Sequence, residues 1–515
     1  MAASPTTRKI GAAVRALSSP VRAEAQANWM ASLARLVSDK RPDLRDQLCG
    51  YMEELGADPS SSTPLDNMSI GELGVVYEAL MALSDHGARR SSGQYFTPDD
   101  VAEFMARQSE SFPSGTWVDP CCGVGNLSWY LAKSQADPAA FVRDQLSLVD
   151  RDKVALTSAV VLLTAAFAPE GDRKVLPALA RRAFHRDFLA PEPLPPADFA
   201  LVNPPYGRTE LMEGYATAAA QEAYAYFLER IVGEYRGCIA ITPASYLVGM
   251  RYRQLRQILL DVPGGEIFVF DNVPDTVFRG LKYGSLNTSS TNFVRAAITV
   301  IPPDAKRWCT TPIMRWTRSN REKMWETLVD YLVPLRLTPQ GQWAKVMPGT
   351  EGVWKHLEGH PPMGSTVLKR ATPYPLWVAS TPRYYLSASK RRLDRASVHV
   401  FYFANEDDQN QAYLLLNSSL AYWWWRCLDG GITLQKRTLL SLPIPPAIKV
   451  LNGEDRELVR RLEEGDLNDL TFKLNAGRAN ENVRRPPAMM EKLDQRLLPG
   501  ITVDFTPVFA SDMFA

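Results

Sequence analysis

The stretch Leu201–Gly207 holds the residues whose types and order most clearly suggest chemistry. An apolar run ends at Asn203, and Pro204, Pro205 and Tyr206 follow it. Prolines cannot donate hydrogen bonds to a strand ladder, so a strand must stop where they begin. This predicts an amide at the carboxyl end of a strand, which is where open α/β sheets bind ligands. The Asn203 and Pro204 carbonyls can accept hydrogens from an exocyclic amino group, and the Tyr206 ring can lie against a planar base.

The segment Thr116–Ala132 predicts a strand that ends at Asp119, a glycine-containing turn and a helix that starts near Asn126. Gly123 and Gly125 would let the backbone approach a ligand closely. The turn lacks the GK[ST] ending of a Walker loop and is not a GxGxxG fingerprint. Asp119 would repel phosphates but suits an ammonium group.

Two further acidic positions fit a nucleoside. The predicted strand at Leu146–Asp152 carries Asp150 at its end. In nucleoside-binding α/β folds, an acidic residue at the end of the second strand takes the ribose hydroxyls. Asp187 and Phe188 follow in a later segment, where a carboxylate beside an aromatic ring can contact the edge and the face of an adenine.

Thr97 and Pro98 precede an apolar-periodic run and predict a helix start, with Thr97 as N-cap and Pro98 at the first helical position. Such a helix end with a free hydroxyl would attract a carboxylate or phosphate. The adjacent Cys121 and Cys122 are better explained as small buried residues than as a metal or redox pair.

The composition is that of an ordinary globular protein. The chain has 515 residues, with 58 basic and 57 acidic side chains, so a nucleic-acid surface would have to be a local patch. Six scattered cysteines without a CxxC pair, and five histidines, argue against a structural zinc site or a disulfide framework, and no metal is predicted. Without a signal-like segment or a membrane-length apolar run, a reducing, cytoplasmic compartment and no membrane contact are expected.

Changes in composition and in the pattern of apolar residues divide the chain into four regions. Residues 1–90 read as packing helices, and 91–302 alternate strands and helices, as in one α/β domain with a mainly parallel sheet. Residues 303–450 are dense in tryptophan, tyrosine and basic residues, and 451–515 read as helices and a tail. Basic residues among aromatics favour nucleic-acid contact; the candidates are Lys390, Arg391, Arg392 and Arg395.

Taken together, these pieces resemble the gamma-class amino DNA methyltransferases over about residues 70–310. GQYFTP at 93–98 is similar to the first cofactor motif of that family, and DPCCGVGN at 119–126 to its S-adenosylmethionine loop. The resemblance implies the following cofactor-binding residues: Tyr95, Phe96, Thr97, Pro98, Asp119, Cys121, Gly123, Gly125, Asn126, Asp150, Asp187 and Phe188. It makes NPPY at 203–206 the catalytic motif and Phe278 a second aromatic against the flipped base.

The resemblance implies a Rossmann-like methyltransferase domain, with an N-terminal helical region and a C-terminal α+β target-recognition domain. It implies methyl transfer from S-adenosyl-L-methionine to N6 of an adenine extruded from double-stranded DNA. The chain would be a bacterial, archaeal or phage-encoded modification component of a restriction-modification or phage-defence system. We find no convincing nuclease motif before residue 90, so a restriction endonuclease would be a separate polypeptide.

Three alternatives remain open. N4-cytosine methylation uses the same chemistry, but that class more often carries serine in place of Asn203. Methylation of protein glutamine or of RNA also uses NPPY, although those enzymes usually lack a large C-terminal domain. The third alternative is a DNA-binding modification subunit that depends on partners and has little activity alone.

Overall fold

The computed structural model describes residues 5–55, 64–84, 97–278, 294–382, 385–429, 431, 433–475 and 478–515. The chain forms two compact units, Met1–Cys309 and Thr310–Ala515. The predicted Tyr95 and Phe96 lie outside the described residues. Among the helices that are described, none is both long and apolar enough to cross a lipid bilayer.

The first unit combines helices with the strands of a central sheet. Its helices are α1 Pro5–Leu17, α2 Arg22–Lys40, α3 Arg45–Met52, α4 Ile70–Ser84, α5 Asp99–Arg107, α6 Asn126–Lys133, α7 Pro138–Ala140, α8 Lys153–Phe167, α9 Val175–Ala180, α10 Ala223–Glu234 and α11 Arg253–Leu260. Its strands are β1 Trp117–Asp119, β2 Leu146–Asp150, β3 Ala183–His185, β4 Phe199–Val202, β5 Gly237–Pro243, β6 Gly265–Phe270 and β7 Ala296–Ile301.

The strands of this unit lie in the order β3-β2-β1-β4-β5-β7-β6. The pairs from β3 to β5 are parallel, whereas β7 runs antiparallel to both β5 and β6. Strands β1 and β4 are buried along their whole length, as expected for parallel strands covered on both faces. The fold is α/β, as predicted, and the carboxyl ends of β3, β2, β1 and β4 form one continuous edge.

Asp152 joins the N-terminal helices to this edge. Its carboxylate caps α8 by accepting from the backbone nitrogens of Val154 and Ala155, at 3.0 and 3.3 Å. The same carboxylate accepts from the Tyr77 hydroxyl of α4 and from Arg22 of α2, both at 2.9 Å. Helices α2 and α4, from the N-terminal region that was predicted to consist of packing helices, are therefore bound to Asp152, two residues after Asp150.

The second unit is α+β. It contains helices α12 Arg321–Thr327, α13 Glu351–Leu357, α14 Glu406–Asn417, α15 Ser419–Leu428, α16 Lys436–Leu440, α17 Gly453–Asn468, α18 Pro487–Leu497 and α19 Thr506–Phe509. The strands are β8 Trp308–Met314, which begins just before the unit, β9 Val333–Pro334, β10 Arg336–Leu337, β11 Trp343–Ala344, β12 Val367–Leu368, β13 Tyr374–Ala379, β14 Ala388–Ser389, β15 Val398–Phe403, β16 Leu470–Asn475 and β17 Arg478–Val483.

The second unit has an aromatic core, and one of its elements differs from the expectation. The four-stranded antiparallel sheet β12-β15-β13-β14 accompanies an aromatic core in which Trp316, Trp343, Trp423 and Trp425 are fully buried. These rings hold the unit together and are not exposed for base stacking. Strands β16 and β17, expected within a helical region, pair in antiparallel fashion. In β16, polar and apolar residues alternate with the period of a strand.

We expect Tyr77→Phe to lower the free energy of unfolding by about 1.5–3 kcal/mol, because it removes a hydrogen bond to a charged, partly buried carboxylate. Arg22→Met removes an ion pair to the same carboxylate, but the Arg22 side chain is 48% exposed, so the cost should stay below about 1 kcal/mol. Urea denaturation followed by tryptophan fluorescence measures both. An equal cost for the two variants would contradict the role assigned to the Tyr77 hydroxyl.

Candidate active site

Asn203 directly follows β4 and is held from two directions. Its side-chain nitrogen Nδ2 donates to Thr97 Oγ1 at 2.9 Å. Its backbone carbonyl accepts from the Cys121 thiol at 3.1 Å. The first bond turns the amide so that its nitrogen faces Thr97 and its oxygen lies on the opposite side. The strand end, the turn after β1 and the segment before α5 thus meet at this asparagine.

The prediction that Thr97 caps a helix starting at Pro98 is wrong by one residue. Helix α5 starts at Asp99, and Pro98 is the N-cap, with an extended ψ of 153° and no side-chain cap. The Thr97 hydroxyl accepts from Asn203, and the Thr97 carbonyl accepts from Asn126 Nδ2 at 2.8 Å. Thr97 therefore connects two site residues and does not offer a free hydroxyl at the helix end.

The glycine turn between β1 and α6 is fixed by close contacts. Gly123 adopts a φ of 54°, and its nitrogen donates to Asp150 Oδ2 at 2.8 Å. Gly125 adopts a φ of 93°, and a Cβ there would lie 3.1 Å from the Cβ of Ala159 on α8. Asp119 at the start of the turn is buried and accepts from the Ser128 hydroxyl at 2.9 Å.

A cavity of about 360 Å³ crosses the carboxyl ends of β3, β2, β1 and β4. It is lined by eleven of the predicted site residues, namely Thr97, Asp119, Cys121, Gly123, Asn126, Asp150, Asp187, Phe188, Asn203, Pro204 and Pro205. Of the other predicted site residues of this unit that are described, Pro98, Gly125, Tyr206 and Phe278 do not line it. The structure therefore gathers most of the predicted cofactor residues and the first three residues of NPPY at one cavity.

Tyr206 and Phe278 lie together beside this cavity. Their ring centroids are 5.8 Å apart at an interplanar angle of 68°, in an edge-to-face arrangement. The Tyr206 hydroxyl donates to the carbonyl of Ile241 in β5 at 3.1 Å. The two aromatics that were predicted to contact a base are thus neighbours, and the hydroxyl of one is bound to the sheet.

Asp187 and Phe188 differ in their environments. Phe188 is buried and stacks on Phe227 of α10, with centroids 5.1 Å apart and an interplanar angle of 22°. Asp187 is exposed, and its Oδ1 accepts from the backbone nitrogen of Leu189 at 2.9 Å. A carboxylate and an aromatic ring therefore stand together at the β3 end of the cavity.

The cavity is rich in carboxyl groups that burial disfavours as anions. Burial, with a smaller contribution from the charge of the neighbouring Asp150, raises the pKa of Asp119 to about 7. Burial also raises the pKa of Asp150 above its usual range. A third acid, Glu78 of α4, lines the same cavity, and burial raises its pKa to about 7. Sequence reasoning missed Glu78, and the only available signal was an acidic residue on a helix whose other positions are mostly apolar.

The predicted basic patch of the second unit is largely engaged within that unit. Lys390 Nζ donates to Asn410 Oδ1 at 2.7 Å and also pairs with Glu463. Arg391 pairs with Glu481 at 2.9 Å, and Arg395 donates to the Ser397 carbonyl at 2.8 Å. Arg392 is the exposed member of the group. Three of the four predicted DNA contacts therefore make hydrogen bonds or ion pairs within the unit itself.

Residues 68–213 match the family model described as N-6 DNA Methylase. The matched segment contains α4, the glycine turn and the NPPY residues. This confirms, for that segment, the resemblance to an adenine-N6 DNA methyltransferase. A comparison with curated proteins found no match.

Several solved structures resemble the chain at low sequence identity. A cryoEM structure of a DrdV–DNA complex is 11% identical, with a TM-score of 0.43, and the match covers 73% of this chain and 49% of that chain. The methyltransferase subunit of a type I restriction-modification system from Streptococcus thermophilus is 16% identical, with a TM-score of 0.34 and coverages of 54% and 61%. The type IIG restriction endonuclease BpuSI is 12% identical, with a TM-score of 0.39 and coverages of 96% and 79%. The chain spans about half the length of the DrdV chain.

We expect Asp119→Asn to raise the melting temperature of the ligand-free protein by about 3 °C or more at pH 8, and by less at pH 5. Because the pKa of this carboxyl is raised to about 7 in the folded state, the folded protein keeps the proton between about pH 4 and 7. The unfolded chain loses this proton at about pH 4, so stability falls as the pH rises from about 4 to 7 and the loss is complete above about pH 7. Asparagine has no proton to lose, so the variant avoids this cost. Calorimetry at both pH values, with the exposed Asp187→Asn as control, measures the difference. If Asp119→Asn raised the melting temperature by the same amount at both pH values, a raised pKa of Asp119 would be contradicted.

Proposed function

We propose that this chain transfers a methyl group from S-adenosyl-L-methionine to N6 of an adenine extruded from double-stranded DNA. The observation that carries the proposal is that Asn203 of NPPY opens onto the same cavity as the glycine turn and Asp150. The family match over residues 68–213 supports it. In this proposal the chain is the modification component of a restriction-modification or phage-defence system.

The residues of the cavity fit this cofactor. Asn126 lines the cavity, and its buried Oδ1 has no hydrogen-bond partner within the part of the chain that the structure describes. A Cβ added at Gly123 would meet no atom within 4 Å, so a ligand can approach the turn closely. Asp150 would take the ribose hydroxyls, and Asp187 with Phe188 the adenine. When bound, the cofactor supplies an electrophilic methyl group on a positively charged sulfur.

The contacts of Asn203 explain how the chain would prepare the amino group of the target adenine. With its nitrogen bound to Thr97, the Asn203 amide directs its oxygen away from Thr97, where it can accept from the amino group. The Pro204 carbonyl would accept the second hydrogen. These two bonds would draw the lone pair of N6 out of ring conjugation and direct it towards the methyl group. Such positioning can supply much of the rate acceleration, so no strong base is needed.

The transfer balances without any other reactant. A bond forms between N6 and the methyl carbon as the sulfur–carbon bond breaks, and one amino proton passes to water. Tyr206 and Phe278 would stack on the extruded ring, at an unstacking cost to the duplex of a few kcal/mol. The second unit would bind the duplex as the target-recognition region, with Arg392 as the most accessible of the predicted contacts. A separate endonuclease or defence subunit would complete the system.

We expect Asn203→Ala to lower methyl transfer by at least about 100-fold while S-adenosylmethionine still binds. The assay incubates the purified chain with plasmid DNA and the cofactor and quantifies methylated nucleosides by mass spectrometry. N6-methyladenine supports the proposal. N4-methylcytosine would correct the target base, and turnover by Asn203→Ala at the wild-type rate would contradict the role of NPPY.

We expect Thr97→Val to lower kcat about ten-fold with little change in the cofactor KM, because Thr97 positions the Asn203 amide without reaching the reacting atoms. Thr97→Ser keeps the hydroxyl and should retain most of the activity. Steady-state kinetics with the two variants separate these effects. A Thr97→Val variant that loses cofactor affinity but keeps kcat would show that the hydroxyl serves the cofactor and not the amide.

A further inference from the structure

We propose that Glu78 is a further cofactor-binding residue, whose carboxylate binds the ammonium group at the methionyl end of S-adenosylmethionine. The inference rests on the proposed methyltransferase function and deepens it. It makes α4, from the region that the sequence assigned to packing, a part of the cofactor site.

Helix α4 presents one of its faces to the cavity. Gly74 and Glu78 both line the cavity, and residues four positions apart lie on the same side of a helix. Because Gly74 has no side chain, the Glu78 carboxylate is the reactive group that this face contributes. Its side chain is only partly buried, as required for a group that meets a ligand in a cavity.

The N-terminus of α4 is fixed to the start of α5. The Ser69 hydroxyl accepts from the Glu72 nitrogen at 3.0 Å, and the Glu72 carboxylate accepts from the Ser69 nitrogen at 2.9 Å, which forms a capping box. The same hydroxyl donates to Asp99 Oδ2 at 2.6 Å. A Cβ at Gly71 would lie 2.1 Å from the Asp99 carboxylate, so only glycine permits this approach. These contacts anchor α4 two residues from Thr97.

The order of the strands decides which end of the cofactor lies near α4. Strands β3, β2, β1 and β4 are neighbours in that order. Asp150 and Asp119 end β2 and β1, whereas Asp187 and Asn203 come just after β3 and β4. At about 4.8 Å between strands, this edge is about 14 Å long, so an extended nucleoside with a side chain fits along it. With the adenine at Asp187, the methionyl end falls near Asp119 and Asn203. Helix α4 packs on α6, the helix that begins with Asn126, and therefore lies at this same end.

Glu78 differs from Asp119 and Asp150 in its hydrogen bonds. Asp119 accepts from Ser128 and Cys121, and Asp150 accepts from Gly123 and Asp152. Within the described ranges, the Glu78 carboxylate makes no hydrogen bond or ion pair.

Charge favours the same assignment. Burial without a partner raises the pKa of Glu78 to about 7, and a bound cation would compensate that cost. Two arginines line the cavity, Arg151 next to Asp150 and Arg186 next to Asp187. Both positive charges therefore lie at the nucleoside end of the cavity and not at the end near α4.

The test compares two ligands by isothermal titration calorimetry with the full chain. S-adenosylhomocysteine carries the ammonium group, whereas 5′-methylthioadenosine has the same adenosine and sulfur without it. We expect Glu78→Gln to weaken binding of S-adenosylhomocysteine about ten-fold or more, because a charge-assisted hydrogen bond is lost. Binding of 5′-methylthioadenosine should change by less than about two-fold. Glu103→Gln, an exposed charge removal on α5, is the matched control and should change neither.

Each outcome decides the inference. Equal weakening of both ligands, or unchanged binding of S-adenosylhomocysteine, would overturn it and leave the proposed function intact. If wild-type protein binds neither ligand, the proposed function fails, and the inference fails with it. Should Glu78→Gln melt at a much lower temperature than wild type, Glu78→Asp provides the same comparison, because it keeps the charge but withdraws it by one methylene. It should weaken S-adenosylhomocysteine only, and by an intermediate factor.

Discussion

The orientation of one side-chain amide constrains the whole site. An asparagine can present either its nitrogen or its oxygen to a ligand, and only the oxygen can accept from an amino group. In the structure Asn203 Nδ2 donates to Thr97 Oγ1, which leaves the amide oxygen on the opposite side, and the Cys121 thiol donates to the backbone carbonyl of the same residue. The residue just after β4 is therefore held by the segment before α5 and by the turn after β1.

The second constraint is electrostatic. Parallel strands bring their carboxyl ends to one edge, and here that edge collects Asp119, Asp150 and the carboxylate of Glu78 from outside the sheet. Burying several acids together is unfavourable unless a cation joins them. Under the proposed function, this cost in stability of the ligand-free protein would be offset when a positively charged ligand binds. Asp152 helps to hold this arrangement, because it ties α2 and α4 to the start of α8.

Sequence reasoning named many of the residues that line the candidate cavity, because strand ends are marked locally. Prolines stop β4 before they can pair, and glycines with positive φ mark the turn after β1. It misplaced the start of α5, since the partner of Thr97 lies 106 residues away. It missed Glu78 for the same reason, because the contact between Ser69 and Asp99 that anchors α4 is not local. It also could not tell that the tryptophans of the second unit form its core, since a buried ring and a stacking ring are the same residue type.

The thiol of Cys121 has a consequence for reactivity. Burial and the nearby carboxylates raise the pKa values of Cys121 and Cys122 well above the usual range, so both stay protonated at neutral pH. Alkylation and disulfide exchange proceed through the thiolate. Both cysteines therefore react slowly in alkylation and disulfide exchange, although they line a cavity. Cys121 instead donates a hydrogen bond to the backbone carbonyl of Asn203. A serine could replace Cys121 in that role, with a shorter reach but the same direction of donation.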